Sequence, residues 1–211
     1  MKIINITPLA IPEVKVLRLQ RFIDSRGYFL ELFRTDILTQ HPELPELAGL
    51  QFMQLNESRS VPGVIRGLHT QCEPNLNKLL RVIAGKIIDV AVDIRLGSPT
   101  FGKAAAYELS YDPKADYEEI ILIPFGFAHG IVAIETAQIQ YFQTGVWNGK
   151  GETTIQFEDP MLDWSLCQPD LQHSIQDILS KSIFSDKDRQ GLTLDQWQRE
   201  PLAQNYIHSS L

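Results

Sequence analysis

Gln54 and Asn56 lie two residues apart in a run whose period-2 alternation sets them on one face of a strand. A Pro-Gly turn leads into Arg66-Gly-Leu-His69, Lys78 opens the next apolar run, and His129 follows the segment Ile123-Pro-Phe-Gly-Phe-Ala. Two imidazoles, a guanidinium and an ammonium near the ends of apolar strands can converge in the mouth of a barrel. Such a group suits an anion and a developing negative oxygen. Taken singly, each residue has a plain structural reading: Arg66 as a surface ion-pair partner, Lys78 as a solvated charge, either histidine as a satisfied half-buried ring. The grouping is what points to chemistry.

The elements that must position these residues are β-strands. From Val14 to about Gln156 short β-branched or aromatic runs alternate with Gly, Pro, Asp and Asn: VKVLRLQRFID, GYFLELF, LQFMQLNES, KLLRVIAGKIIDVAVDI, AAAYELSY, EIILIP, GIVAIE, IQYFQTGVW and TTIQF. This spacing predicts an all-β antiparallel barrel or sandwich. Ala84-Gly85-Lys86 reads as a tight hairpin between two core strands, the second alternating Ile88, Val90, Val92 and Ile94 with Asp89 and Asp93. After Asp159 helical spacing takes over, predicting a short appendage over about 161–204, anchored by Trp164 and Trp197, and a polar tail over 205–211. With 211 residues, 44% hydrophobic and 21% charged, the chain fits one domain over 1–204 whose barrel covers about 14–160.

Composition narrows the partners. Nineteen basic against 26 acidic residues give a formal charge of −7, which provides no broad footprint for nucleic acid. No run approaches the roughly 20 apolar residues of a membrane span, and the N-terminus lacks a signal peptide's uninterrupted apolar core. Only Cys72 and Cys167 occur, unpaired in sequence, which argues against a disulfide framework or a thiolate zinc site. A cytoplasmic protein is expected. Cys72 is taken as a passive thiol near the site and Cys167 as packing, while His41, His173 and His208 receive no role.

The segment Pro124-x-Gly126-x-x-His129 resembles the second signature of the cupin barrels. Metal-binding cupins carry His-x-His and a nearby Glu in the first signature, where this chain has His69-Thr70-Gln71 with Glu73. One imidazole is missing, so a metal-free cupin is the favoured reading, with its histidines available for proton transfer.

Further residues carry a more specific resemblance. Arg26-Gly-Tyr-Phe29-Leu-Glu31, Gln54-Leu-Asn56-x-Ser58, Gly63-Val-Ile-Arg66-Gly-Leu-His69-Thr-Gln71, Lys78-Leu, Asp89-Val-Ala-Val-Asp93-Ile-Arg95, Ser98-Pro-Thr-Phe-Gly102, Ile123-Pro-Phe-Gly-Phe-Ala-His129-Gly, Glu152, Asp159-Pro160 and Ser185-Asp-Lys-Asp188 occur in order along the chain. The sequence closely resembles the dTDP-4-dehydrorhamnose 3,5-epimerase family. The resemblance implies a homodimeric double-stranded β-helix, or cupin jelly roll, acting on a nucleotide-activated 4-keto-6-deoxy hexose without metal or organic cofactor. It implies His69 as base, Asp159 as the carboxylate orienting it, and Lys78 beside the C4 oxygen. It assigns Arg26, Phe29, Glu31, Gln54, Asn56, Arg66 and His129 to the nucleotide, diphosphate or sugar, some across the dimer through the Arg26–Glu31 segment, with Glu152 as a further substrate-binding position; Trp147 is expected to bind by stacking on a sugar or base. A neutral imidazole backed by a carboxylate has suitable basicity for a proton beside a ketone.

The main departure lies at Tyr141-Phe-Gln-Thr144-Gly-Val-Trp147, where the family segment reads like Y-K-x-T-x-Y-Y. Taking the second tyrosine of the terminal Y-Y pair as the acid puts Trp147 in its place, and an indole N–H is far too weak an acid to relay a proton. Inversion of one carbon only, with water, Tyr28 or Tyr141 as acid, therefore stands beside a modified sugar in a changed pose. A 3,4-ketoisomerase and a non-catalytic sugar-nucleotide binding protein are the remaining alternatives. Asn148-Gly149-Lys150-Gly151 replaces a proline-containing turn and implies an altered lid.

Overall fold

A computed structural model of the chain describes residues 1–208, so the last three residues of the expected tail lie outside the described residues. The apolar runs become strands β1 (Ile3–Pro8), β2 (Lys15–Gln20), β3 (Phe22–Asp24), β4 (Gly27–Phe29), β5 (Gln54–Ser60), β6 (Ile65–Gln71) and β7 (Lys78–Ala84). They continue as β8 (Lys86–Asp93), β9 (Ala104–Ser110), β10 (Tyr117–Ile123), β11 (Phe127–Ala133), β12 (Ala137–Gln143) and β13 (Glu152–Thr154). Helices are few and short: α1 (Thr35–Thr39), α2 (Pro169–Leu179), α3 (Asp186–Arg189) and α4 (Leu194–Trp197).

Two sheets form, in the orders β1-β2-β10-β7-β12-β5 and β13-β6-β11-β8-β9. They enclose a core in which Leu80, Val82 and Ile139 of the first meet Ile87, Ala91 and Ile131 of the second. This is the double-stranded β-helix that the resemblance implies, within the antiparallel barrel or sandwich class expected from the strand spacing. The outer face of the second sheet buries Ile88, Val90 and Val92 under Ile175, Trp197 and Tyr206. Strand β8 is therefore covered on both sides, and Asp89 and Asp93 are as inaccessible as the valines between them.

The Gly85 turn differs from the expected hairpin. Strands β7 and β8 belong to different sheets, β7 pairing with β10 and β12, and β8 with β9 and β11. Gly85 takes the chain from one sheet to the other at φ +74°, so close to the backbone that a Cβ there would stand 2.1 Å from the Thr136 carbonyl oxygen. Only glycine supplies both the positive φ and the clearance.

The C-terminal segment is fixed by its aromatic residues. Trp197 is fully buried, and its indole N–H donates to the Ile94 carbonyl at 2.9 Å. Burying an apolar side chain of this size contributes about 2–3 kcal/mol. Packing continues beyond the expected start of the tail: Tyr206 is buried, and its hydroxyl accepts from Thr70 Oγ1 at 3.0 Å.

Strands β3 and β4 form a separate two-stranded ribbon in which every residue is exposed. Phe22, Ile23 and Phe29 present apolar surface there. The Arg21 guanidinium lies 4.5 Å from the centre of the Tyr28 ring at its base.

Candidate active site

A cavity of about 450 Å³ opens between the two sheets at one end of the core. One wall is built by register. Gln54, Gln143 and Lys78 form one row across β5, β12 and β7, and Asn56, Tyr141 and Leu80 form the next. Because alternate residues share a face, these rows place their odd and even neighbours on opposite sides and bring the polar set into the cavity. Gln54 Nε2 donates to Asn56 Oδ1 at 2.7 Å, and Asn56 Nδ2 donates to Gln143 Oε1 at 3.2 Å.

The opposite wall carries the histidines. His69 on β6 and His129 on β11 are direct cross-strand partners, followed by a register shift before Ile131 pairs with Arg66. Gly67 and Gly130 permit this shift. A Cβ on Gly67 would lie 2.6 Å from the His129 carbonyl oxygen, and one on Gly130 would lie 2.6 Å from that of Arg66.

His69 Nε2 stands 2.5 Å from Asp188 Oδ1. Burial pushes the Asp188 carboxyl up, but the bond to His69 and that from Ser185 outweigh it and hold the group below the usual carboxylate range. Ser185 caps α3, accepting from the Asp188 N–H at 3.1 Å while its hydroxyl donates to Asp188 Oδ2 at 2.8 Å. The expectation that Asp159 orients His69 is thereby corrected. Asp159 instead accepts the backbone N–H groups of Leu194 at 2.5 Å and Met161 at 2.8 Å, fixing the start of α4, and the carboxylate bonded to His69 is that of Asp188.

A second pair lies deeper: His129 Nε2 is 2.9 Å from Asp89 Oδ2, and both side chains are buried. Lys78 reaches in from the other sheet and donates to the His69 carbonyl at 3.4 Å. Burial lowers its pKa to about 8, against the opposing pull of the Glu152 and Asp89 carboxylates. Burial also pushes the Tyr141 phenol up, with Arg66 drawing it partly back. At the rim, Arg66 donates to Ser60 Oγ at 2.9 Å and to the Arg59 carbonyl at 3.2 Å.

Trp147 is 58% exposed at the cavity mouth, with its indole N–H donating to Glu152 Oε2 at 3.1 Å. Lys187 also pairs with Glu152, whose carboxyl is driven up by burial but held low by these two hydrogen bonds. The turn after Trp147, expected to be an altered lid, is tied down: Asn148 Nδ2 donates to the Glu73 carbonyl at 2.7 Å. Cys72 and Cys167 are buried free thiols.

The cavity thus gathers Gln54, Asn56, Arg66, His69, Lys78, His129, Trp147 and Glu152. Arg26, Phe29 and Glu31 are not among its lining residues. Arg26 is paired with Asp24 on the exposed ribbon, and Glu31 meets the N-terminal ammonium. Sequence reasoning left Asp188 and Asp89 without roles. The Ser185-x-x-Asp188 spacing of a helix cap was the available signal for the first. An aspartate in an apolar strand that is buried on both faces was the signal for the second.

Among the described residues, no group of three or more His, Cys, Asp and Glu side chains is arranged to hold a metal ion, and no helix is long and apolar enough to cross a membrane. Residues 8–196 match the family model described as dTDP-4-dehydrorhamnose 3,5-epimerase. The dTDP-4-dehydrorhamnose 3,5-epimerase of Pseudomonas aeruginosa is 39% identical over 191 residues, which are 88% of this chain and 93% of that protein. The enzyme of the same name from Neisseria gonorrhoeae is 37% identical over 201 residues, or 94% of this chain, which spans 55% of the Neisseria protein's length. The crystal structure of dTDP-6-deoxy-D-glucose-3,5-epimerase from Legionella pneumophila in complex with dTDP-4-keto-L-rhamnose superposes with a TM-score of 0.75 at 35% identity, covering 90% of this chain and 93% of that one. With its jelly roll and this match over most of its length, the chain belongs to the dTDP-4-dehydrorhamnose 3,5-epimerase family.

Proposed function

We propose that this chain is a carbohydrate epimerase that inverts C3 and C5 of a dTDP-linked 4-keto-6-deoxy hexose, in the synthesis of deoxysugars for cell-surface polysaccharide. The observation that carries the reading is the opposition of His69 on one sheet, backed by Asp188 of α3, to Lys78 and Tyr141 on the other, across one cavity.

His69 takes the proton from the carbon beside the ketone, and Asp188 holds the ring and stabilises the imidazolium. The electron pair moves onto the C4 oxygen as an enolate, where the Lys78 ammonium balances the charge. The Tyr141 phenol returns a proton from the opposite face, completing the inversion, and solvent exchange restores both groups. Tyr141 takes the acid's role because it lines the cavity, whereas Trp147 stands at the rim as a surface for the nucleotide or sugar. Arg66 and His129, with the amides of Gln54 and Asn56, bind the diphosphate and sugar.

The active form is a homodimer in the cytoplasm. Arg26 and Phe29 on the β3–β4 ribbon, with Glu31 just beyond it, reach the partner's cavity, a reading supported by apolar side chains exposed on the ribbon without cover from their own chain. The test is proton NMR in D2O with dTDP-4-keto-6-deoxyglucose, with His69→Ala as control. Deuterium at C3 and C5 with inversion of both is expected. Binding without exchange would overturn the assignment, and migration of the carbonyl to C3 would make the protein a ketoisomerase.

A further inference from the structure

Trp147 poses a physical problem. A side chain more than half exposed has little hydrophobic burial to hold it in one place, and its ring belongs to a turn with glycines at 145, 149 and 151. Such a turn loses much conformational freedom when it is ordered. The indole N–H is held by Glu152 Oε2 at 3.1 Å, and the backbone on either side of the ring is held by polar bonds to one residue outside the turn.

That residue is Gln71, buried at the end of β6 two positions after His69. Its Nε2 donates to the Val146 carbonyl at 3.2 Å and to that of Pro74 at 3.1 Å, while its Oε1 accepts the Asn148 N–H at 2.8 Å. One amide thus grips the backbone on both sides of Trp147 with donors and acceptor all engaged. The Trp147 N–H donates to Gln54 Oε1 at 2.8 Å. Below the ring, a Cβ on Gly149 would stand 3.1 Å from the indole, so the glycine lets the turn fold closely beneath it.

We propose that Gln71 is a positioning residue for Trp147, holding the indole as a fixed wall of the cavity at a set distance from His69 on the same strand. The proposal rests on the reading above, in which the nucleotide-linked sugar lies against Trp147. A preset wall lowers the ordering cost of binding. Gln71 therefore acts on affinity for the ligand, with the chemical step left to His69 and Lys78.

The test is a double-mutant cycle with Gln71→Ala, Trp147→Ala and the double variant, measuring KM, kcat and Tm on dTDP-4-keto-6-deoxyglucose. Gln71→Ala is expected to raise KM about tenfold with kcat within about threefold of the parent, and to raise it no further once Trp147 is alanine. Equal KM effects of Gln71→Ala in both backgrounds, or a loss of kcat and Tm with KM unchanged, would overturn it by making Gln71 merely structural. If Trp147→Ala raises KM and Gln71→Ala does not, the inference fails while the site reading stands. If Trp147→Ala leaves KM unchanged, the contact between ligand and indole fails, and the inference with it.

Discussion

His69 and His129 face each other across β6 and β11, yet each Nε2 is bound to a different carboxylate, Asp188 at 2.5 Å and Asp89 at 2.9 Å. Asp188 arrives on a short helix from the C-terminal segment, whereas Asp89 belongs to the neighbouring strand of the same sheet. The two rings thus share a row but not a support. His69 is accessible from the cavity and His129 is buried, which suits the first to proton transfer and the second to a fixed role.

Asp188→Asn is expected to lower kcat by roughly 10²–10³-fold, because an amide in this position supports the wrong tautomer of His69. Asp159→Asn is expected to act differently, lowering stability by about 1–3 kcal/mol through weakened bonds to Leu194 and Met161 while leaving kcat within about twofold. Steady-state kinetics beside thermal unfolding of both variants separate the two carboxylates.

Lys78 gives the site an alkaline limit. Turnover needs its ammonium, so kcat is expected to fall as pH rises through about 8. Because the folded-state pKa lies below the unfolded one, the fold is penalised while both states hold the proton, and stability rises from about pH 8 toward 10.5 as the native state sheds it first. The penalty at pH 7 is on the order of 3 kcal/mol, and Lys78→Met should recover part of it. Urea unfolding at pH 7 and 10 checks the sign, alongside a pH–rate profile.

Tyr141→Phe should separate proton removal from inversion. His69 and Lys78 are untouched, so deuterium exchange at the carbons beside the ketone should persist while inversion falls roughly 10²-fold or more. Trp147→Phe should leave inversion intact. NMR of the sugar protons in D2O distinguishes the two variants.

Gly130→Ala should destabilise the protein by about 3 kcal/mol or more, since its Cβ would enter the backbone of Arg66, which cannot move aside as a flexible side chain can. Chemical denaturation measures the loss.

Much of the strand pattern was legible because alternation and turn residues are local signals: β5, β8 and β12 follow from them. The Gly85 turn was not, because hairpin and sheet-to-sheet crossing share the same local sequence and differ only in which distant strands lie alongside. The site shows the same division. His69, Lys78 and the Gln54–Asn56 pair could be placed from spacing and resemblance, but choosing between Asp159 and Asp188 depends on where the chain returns after α2. Tyr141 and Trp147 are six positions apart on one segment, and only the register of β12 against β7 shows which of them lies beside the lysine row.

The chemistry proposed for this cavity is divided between two sheets, with His69 on one and Lys78 and Tyr141 on the other. Face-packed sheets stand about 10 Å apart, at a distance set by the side chains between them. Leu80, Ile131 and Ile139 line the cavity and also belong to that filling. The hydrophobic core is consequently a calliper: the gap across which base and acid address the two faces of a sugar ring is gauged by aliphatic side chains that carry no charge and exchange no proton.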